Sequence, residues 1–222
     1  MDRVARHGSL RSEVYRRLRD DILIGRYQNG TALTEAQISQ EMGVSRTPVR
    51  EAISQLALDG LVFSTPNKSI VVQGFEEKDI NDLYDVRRTM EVMAATRAAE
   101  KMTEEQIREL QAVFDRESQE TRDASSIIEL QDLDNSFHEL IFLGSDSKVF
   151  RNILSSINIY TRHARLVSLA TPGRSLKVIE EHARILAAIQ RRDSQSAGKA
   201  MREHIDNAAD NFMTISHKGG NN

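Results

Sequence analysis

The sequence predicts a mainly α protein in two parts: three short helices with a β-hairpin, then an antiparallel all-α helical bundle. Residues that break helices are scarce, with 3 Pro and 11 Gly in 222 residues, and aromatics make up only 5%. Apolar residues recur at helical spacing over most of the chain. The departure is a pair of short extended runs, residues 61–65 and 69–72, around the tip Pro66-Asn67-Lys68. Hydrophobic residues at 39% and charged residues at 28% support a packed core and argue against a disordered tail protein. The absence of Cys excludes disulfide scaffolds, thiolate zinc fingers and cysteine nucleophiles. The longest apolar runs are only a few residues, as in residues 140–143, too short to span a membrane. The start MDRVARHGSLRSEV lacks the apolar stretch of a secretory signal, so a cytoplasmic protein is expected.

In the first part, Leu10, Val14, Leu18 and Ile22 lie at helical spacing, and Gly25 ends that helix. Thr34-Glu35-Ala36-Gln37 is a capping box that opens a second helix, closed by Gly43. Ser45 is the expected cap of a third helix to Leu58, with Pro48 tolerated in its first turn. Asp59-Gly60 then turns the chain into the hairpin. This is the outline of a winged helix-turn-helix. From Phe75 onward six helices are expected, over residues 76–101, 103–121, 124–143, 146–170, 174–191 and 193–215, joined by short connections that imply antiparallel neighbours. The expected domains are 1–74 and 75–222.

Net charge is −3. Residues 1–74 carry 10 Lys+Arg against 8 Asp+Glu, a net of +2, and the remainder carries 20 against 25, a net of −5. If DNA is bound, placed arginines must do it rather than bulk charge. The third helix offers them. Val49, Ala52, Ile53 and Leu56 form its buried stripe, while Arg46, Thr47, Arg50 and Ser54 lie opposite. An arginine fork can engage guanine O6 and N7 together. Ser45 and Thr47, with first-turn amides, can hold a phosphate. Asn67 and Lys68 at the hairpin tip are placed for the adjacent minor groove or backbone.

Leu33-Thr34-Glu35 followed by GVSRTPVREAISQLALDGLV (residues 43–62) closely resembles the signature of GntR-family bacterial transcription regulators. The resemblance implies that Arg46, Thr47 and Arg50 contact operator DNA, that Asn67 and Lys68 of the wing assist, and that a homodimer binds a short palindrome.

The second part carries an anomaly. Asp134 and His138 sit on the stripe of Ile127, Leu130, Phe137 and Ile141; His182 falls between Ile179 and Leu186; His204 follows Ala197, Ala200 and Met201. Four metal-competent side chains on three helices thus face inward, where an uncompensated Asp is expensive. One carboxylate and three imidazoles suit Zn²⁺, Ni²⁺, Mn²⁺ or Fe²⁺, and an octahedral ion would keep two positions for water or ligand. The plain alternative is a set of core histidines and an i, i+4 hydrogen-bonded pair. His7 and His217, near the termini, and His163 do not share the pattern. The arrangement resembles the helical FCD effector domain of the FadR-like branch of the GntR family, in its shorter six-helix, VanR-type form. The motif is Asp134, His138, Glu181-His182 and His204-Ile205, and it spans residues 78–213. That resemblance implies a divalent metal that helps bind an organic-acid effector.

Arg87 lies on the stripe Leu83, Arg87, Met90, Ala94 and Ala98. It can clamp an effector carboxylate or pair with a glutamate on the next helix; Arg162, Arg165 and Arg174 are open to the same two readings. The expected function is a metabolite-responsive transcription regulator, a repressor by default because most members of the family are. Two alternatives stand beside it, a metal-dependent hydrolase and a regulator whose metal is purely structural. His138-Glu139 begins like HExxH but lacks the second His, and no Ser-centred elbow or phosphate-binding Gly loop appears.

Overall fold

The computed structural model describes residues 9–23, 26–64, 69–73, 77–123, 126–150, 152, 153, 161, 165 and 168–219. The chain divides into two compact units between Lys78 and Asp79.

The first unit runs α1 (Leu10–Leu23), β1 (Ala32–Leu33), α2 (Glu35–Met42), α3 (Arg46–Leu58), β2 (Val62–Ser64) and β3 (Ile70–Val72). The strands form one antiparallel sheet in the order β1-β3-β2, with Leu33 opposite Ile70 and Phe63 opposite Val71. Helix α2 opens on the Thr34–Gln37 capping box, each residue's side chain accepting from the other's backbone N–H. Both α2 and α3 end in left-handed glycines, Gly43 at φ 66° and Gly60 at φ 74°, whose following amides reach back to Ser39 O and Leu56 O. These stops set the short α2–α3 turn and the entry to β2. Val14, Leu18, Ile22, Ile38, Val49, Ala52, Ile53, Leu56, Ile70 and Val72 form the core. The buried face of α3 is the expected one; Leu10, expected on the apolar stripe of α1, is half exposed at the helix's first turn. Strand β1 was not expected, because two residues carry no readable period.

The second unit is helical throughout its described residues: α4 (Glu77–Lys101), α5 (Glu104–Arg122), α6 (Ile127–Gly144), α7 (Arg174–Gln190) and α8 (Ser194–Gly219). Of the helix expected over 146–170, residues 148–150, 152, 153, 161, 165, 168 and 169 are helical, residues 146, 147 and 170 are not, and the rest lie outside the described residues. Helix α6 starts later than the expected 124, because Ser126 and Glu129 form a capping box there. Helix α7 packs on α8, and α5 packs on both α6 and α7. Contact between α4 and α8 is close: a Cβ at Gly198 would lie 2.6 Å from Thr96 Oγ1. Tyr84, Ala94, Ala98, Leu110, Phe137, Ile141, Ile185, Ile189, Met201 and Ile205 make the core. Among the described residues no helix is long and apolar enough to cross a membrane.

Candidate functional site

On α3, Ser45, Arg46, Thr47, Arg50 and Ser54 are exposed on the side away from the buried stripe. Ser45 occupies the N-cap position, yet its side chain makes no capping hydrogen bond. The third helical residue, whose amide a serine cap usually captures, is Pro48, which has no N–H to give. The Ser45 hydroxyl is therefore not tied to the helix end. Arg50 does not stand alone: Nε and Nη2 donate to Glu35 Oε1 and Oε2 at 2.9 Å each. Asn67 and Lys68 lie outside the described residues.

The second unit brings Asp134 and His138 of α6, His182 of α7 and His204 of α8 together, with one potential ligand atom from each lying within 4.8 Å of all the others. All four are buried. The three imidazoles converge, their ring centroids 4.8–5.3 Å apart, and Phe137 stacks flat on His182 at 4.1 Å.

Each imidazole has a carboxylate behind it. Nδ1 of His138 lies 2.6 Å from Glu91 Oε2 on α4, Nδ1 of His182 lies 2.8 Å from Glu117 Oε2 on α5, and Nδ1 of His204 lies 2.7 Å from Glu181 Oε2 on α7. A carboxylate behind Nδ1 fixes the ring and leaves Nε2 as the acceptor, the arrangement that orients histidine ligands at metal sites. Nε2 of His182 and both ring nitrogens of His138 have no hydrogen-bond partner, the His138–Glu91 approach being an ion-pair distance without hydrogen-bond geometry, and His182 Nε2 lies 3.7 Å from Asp134 Oδ1. Burial drives the pKa of His138 down to about 3 and that of His204 down to about 4, so both are neutral imidazoles. Burial works against a proton on His182 too, but Glu117, Asp134 and Glu181 together outweigh it and raise its pKa. Asp134 stays ionised against its burial because Arg165 and the histidines hold its pKa down.

Every buried unpartnered side-chain polar atom among the described residues belongs to this cluster or to the three arginines beside it. Arg87 is buried, and its Nε donates to Glu91 Oε1 at 2.6 Å. Its partner is thus one turn along α4, not on the next helix as the pairing alternative had it, since an i, i+4 spacing puts both residues on the inner face. The Nη1 and Nη2 groups of Arg87 have no partner. They belong to a recess also lined by Tyr84, Asp134, Arg165, Arg174 and His204. Arg165 Nη1 donates to Asn135 at 2.6 Å and its Nε lies 3.0 Å from Asp134. Arg174 grips Glu181 with both Nη groups at 2.8 Å. Arg162 and His163 lie outside the described residues.

Sequence reasoning missed Glu91 and Glu117 and saw Glu181 only as a neighbour of His182. The signal was present: Glu117 follows Leu110 by seven residues on the inner face of α5, and Glu91 follows Arg87 by four on that of α4.

Residues 10–72 match the model described as "Bacterial regulatory proteins, gntR family", and residues 82–207 match the FCD domain. The chain is 23% identical to the helix-turn-helix transcriptional regulator YdhC of Bacillus subtilis, over 95% of this chain and 94% of that one. It is 26% identical to the transcriptional repressor RspR of Escherichia coli, over 91% and 89%. The solved structure of E. coli McbR/YncC superposes with a TM-score of 0.74 at 21% identity, covering 93% of this chain and 99% of that one, which shows a common fold. These families and relatives are transcriptional regulators and not enzymes, so the hydrolase alternative falls. The chain belongs to the gntR family of bacterial transcription regulators and carries an FCD domain behind its DNA-binding unit.

Proposed function

We propose that this DNA-binding regulator is a homodimeric repressor of a palindromic operator, its DNA-binding domain (1–74) controlled by a divalent transition metal and a small organic acid held in its FCD domain (75–222). The observation that carries the effector reading is the set of three buried imidazoles, each backed at Nδ1 by a carboxylate and turned with Asp134 toward one point. The donor chemistry of three imidazole nitrogens and one carboxylate fits Zn²⁺, Ni²⁺, Mn²⁺ or Fe²⁺. Asp134, His138, His182 and His204 would hold such an ion, which would supply a Lewis-acidic partner for a carboxylate. Glu91, Glu117 and Glu181 orient the three rings. Arg87, with two buried and unpartnered Nη groups in the adjoining recess, offers a bidentate partner to the acid. On α3, Arg46, Thr47 and Arg50 read the operator, with Ser45 on its backbone and Asn67 and Lys68 supporting from the wing.

For such a regulator, any effect of the acid on DNA affinity must equal the effect of DNA on affinity for the acid. The test is to select an operator from a random DNA pool, then titrate it with metal-loaded and chelator-treated protein, each with and without acetate, malonate and citrate. At least one acid is expected to weaken operator binding by about five-fold or more, and only with metal-loaded protein. Operator affinity unmoved by every acid, with thermal stability that still follows the metal, would establish a structural metal instead.

A further inference from the structure

We propose that Glu35 is a specificity-determining positioning residue of the DNA-reading face, acting through Arg50. The inference rests on the reading of α3 as the base-reading helix and assigns a role to a carboxylate on the preceding helix. Glu35 is the first residue of α2, where the helix dipole and the Thr34–Gln37 capping box fix both its charge and its backbone. Arg50 lies one turn into α3, with Val49, Ala52 and Ile53 of that turn buried beneath it. The Gly43 turn between the helices sets their spacing. Two rigid backbones thus carry the two ends of one ion pair.

The pairing uses a particular edge of the guanidinium. Nε–H and one Nη2–H donate in parallel to the two oxygens of Glu35, at 2.9 Å each. Of the five N–H groups, two on Nη1 and one on Nη2 remain. The outward edge, one N–H from each Nη, has the spacing of guanine O6 and N7. Glu35 therefore holds the side edge of Arg50 and leaves the reading edge presented.

Stability does not account for this pair. The Arg50 side chain is 66% exposed and that of Glu35 31% exposed, and an ion pair in such surroundings adds little to a fold. Ordering a long flexible side chain before DNA arrives is a different gain, because rotamer freedom already lost in the free protein is not lost again on binding. The carboxylate also places a negative charge beside the phosphates, which lowers affinity for DNA of any sequence and leaves the ratio unchanged. The pre-ordered reading edge is what raises the ratio of specific to non-specific affinity.

The experiment measures affinity for a selected operator and for a scrambled duplex over a salt series, using full-length wild type, Glu35→Ala, Glu35→Gln, Arg50→Ala and Glu35→Ala/Arg50→Ala. Circular dichroism and melting verify each fold. Glu35→Ala is expected to lower the operator-to-scrambled ratio by about ten-fold, with scrambled DNA bound as tightly as by wild type or more tightly. Glu35→Gln, which keeps shape but loses charge and the parallel pairing, falls between. In the Arg50→Ala background, Glu35→Ala is expected to change the ratio by less than about two-fold, because the group it positions is gone. A wild-type ratio in Glu35→Ala overturns the proposal, and so does an equal loss with and without Arg50. A wild-type ratio in Arg50→Ala overturns the underlying assignment of α3 instead, so the two failures are distinct.

Discussion

Arg50 on α3 and Arg87 on α4 are both arginines paired with a glutamate, and they sit in opposite surroundings. Arg50 meets Glu35 in solvent, above a helix whose apolar stripe is complete without it. Arg87 meets Glu91 where both are almost fully enclosed, within a cluster that includes Asp134, His138 and Arg165. Water screens the first pair, so either partner can change without unfolding the unit. In the second, each charge lacks water and depends on its neighbours, and removing one leaves the rest uncompensated. The exposed face of α3 can therefore vary independently of its fold, whereas in the FCD domain the proposed metal site and the core are the same residues.

The largest effect that would sharpen this contrast is on stability. Glu91→Ala leaves Arg87 without its carboxylate and removes the group behind His138, and it is expected to destabilise the FCD domain by about 3–5 kcal/mol in urea unfolding. Arg50→Ala is expected to melt close to wild type; a large loss there would break the comparison. Yet Arg50→Ala is expected to cost about ten- to a hundred-fold in operator affinity, measured by fluorescence anisotropy. In the same range, Glu117→Ala frees the His182 ring and is expected to weaken metal binding about ten- to a hundred-fold, read by competition with a chromogenic chelator.

A smaller effect is on pH dependence. His138 and His204 hold folded pKa values of about 3 and about 4, against 6.5 for an unperturbed histidine. As pH falls below about 6.5 the unfolded chain takes up protons that these two buried rings refuse. The stability they contribute is complete above 6.5 and is lost progressively toward 4 and 3. His182 has the opposite sign: its raised pKa supports the fold below 6.5 and that support fades as pH rises through its folded value. Glu117, raised by its burial, shares the sign of His182, while Glu91, Asp134 and Glu181 are held down and act with His138 and His204, so chelator-treated protein is expected to melt at lower temperature at pH 5 than at pH 7. Equal melting temperatures would contradict the neutral assignment of the two rings.

The two regions also differed in how far the sequence disclosed them. On α3, the proposed reading residues and the buried stripe share one helix, so a 3.6-residue period separates Arg46, Thr47 and Arg50 from Val49, Ala52 and Ile53. The four inward side chains of the FCD domain were legible for the same reason, because each breaks an apolar stripe on its own helix. What a period does not convey is partnership between elements. Glu91, Glu117 and Glu181 come from three helices, and their places behind three imidazoles follow only from how those helices pack. The Glu35–Arg50 pair spans a turn whose angle depends on tertiary packing, and strand β1 exists only because β3 lies beside it.

The central claim is that Asp134, His138, His182 and His204 form a metal site. It is tested most directly by elemental analysis of untagged protein purified without chelator, beside His182→Ala/His204→Ala. One divalent metal per wild-type chain, lost in the double variant, is the result the account predicts. Wild type without metal, even after incubation with Zn²⁺, Ni²⁺, Mn²⁺ and Fe²⁺, would contradict it and return the three imidazoles to the role of core residues held by their carboxylates.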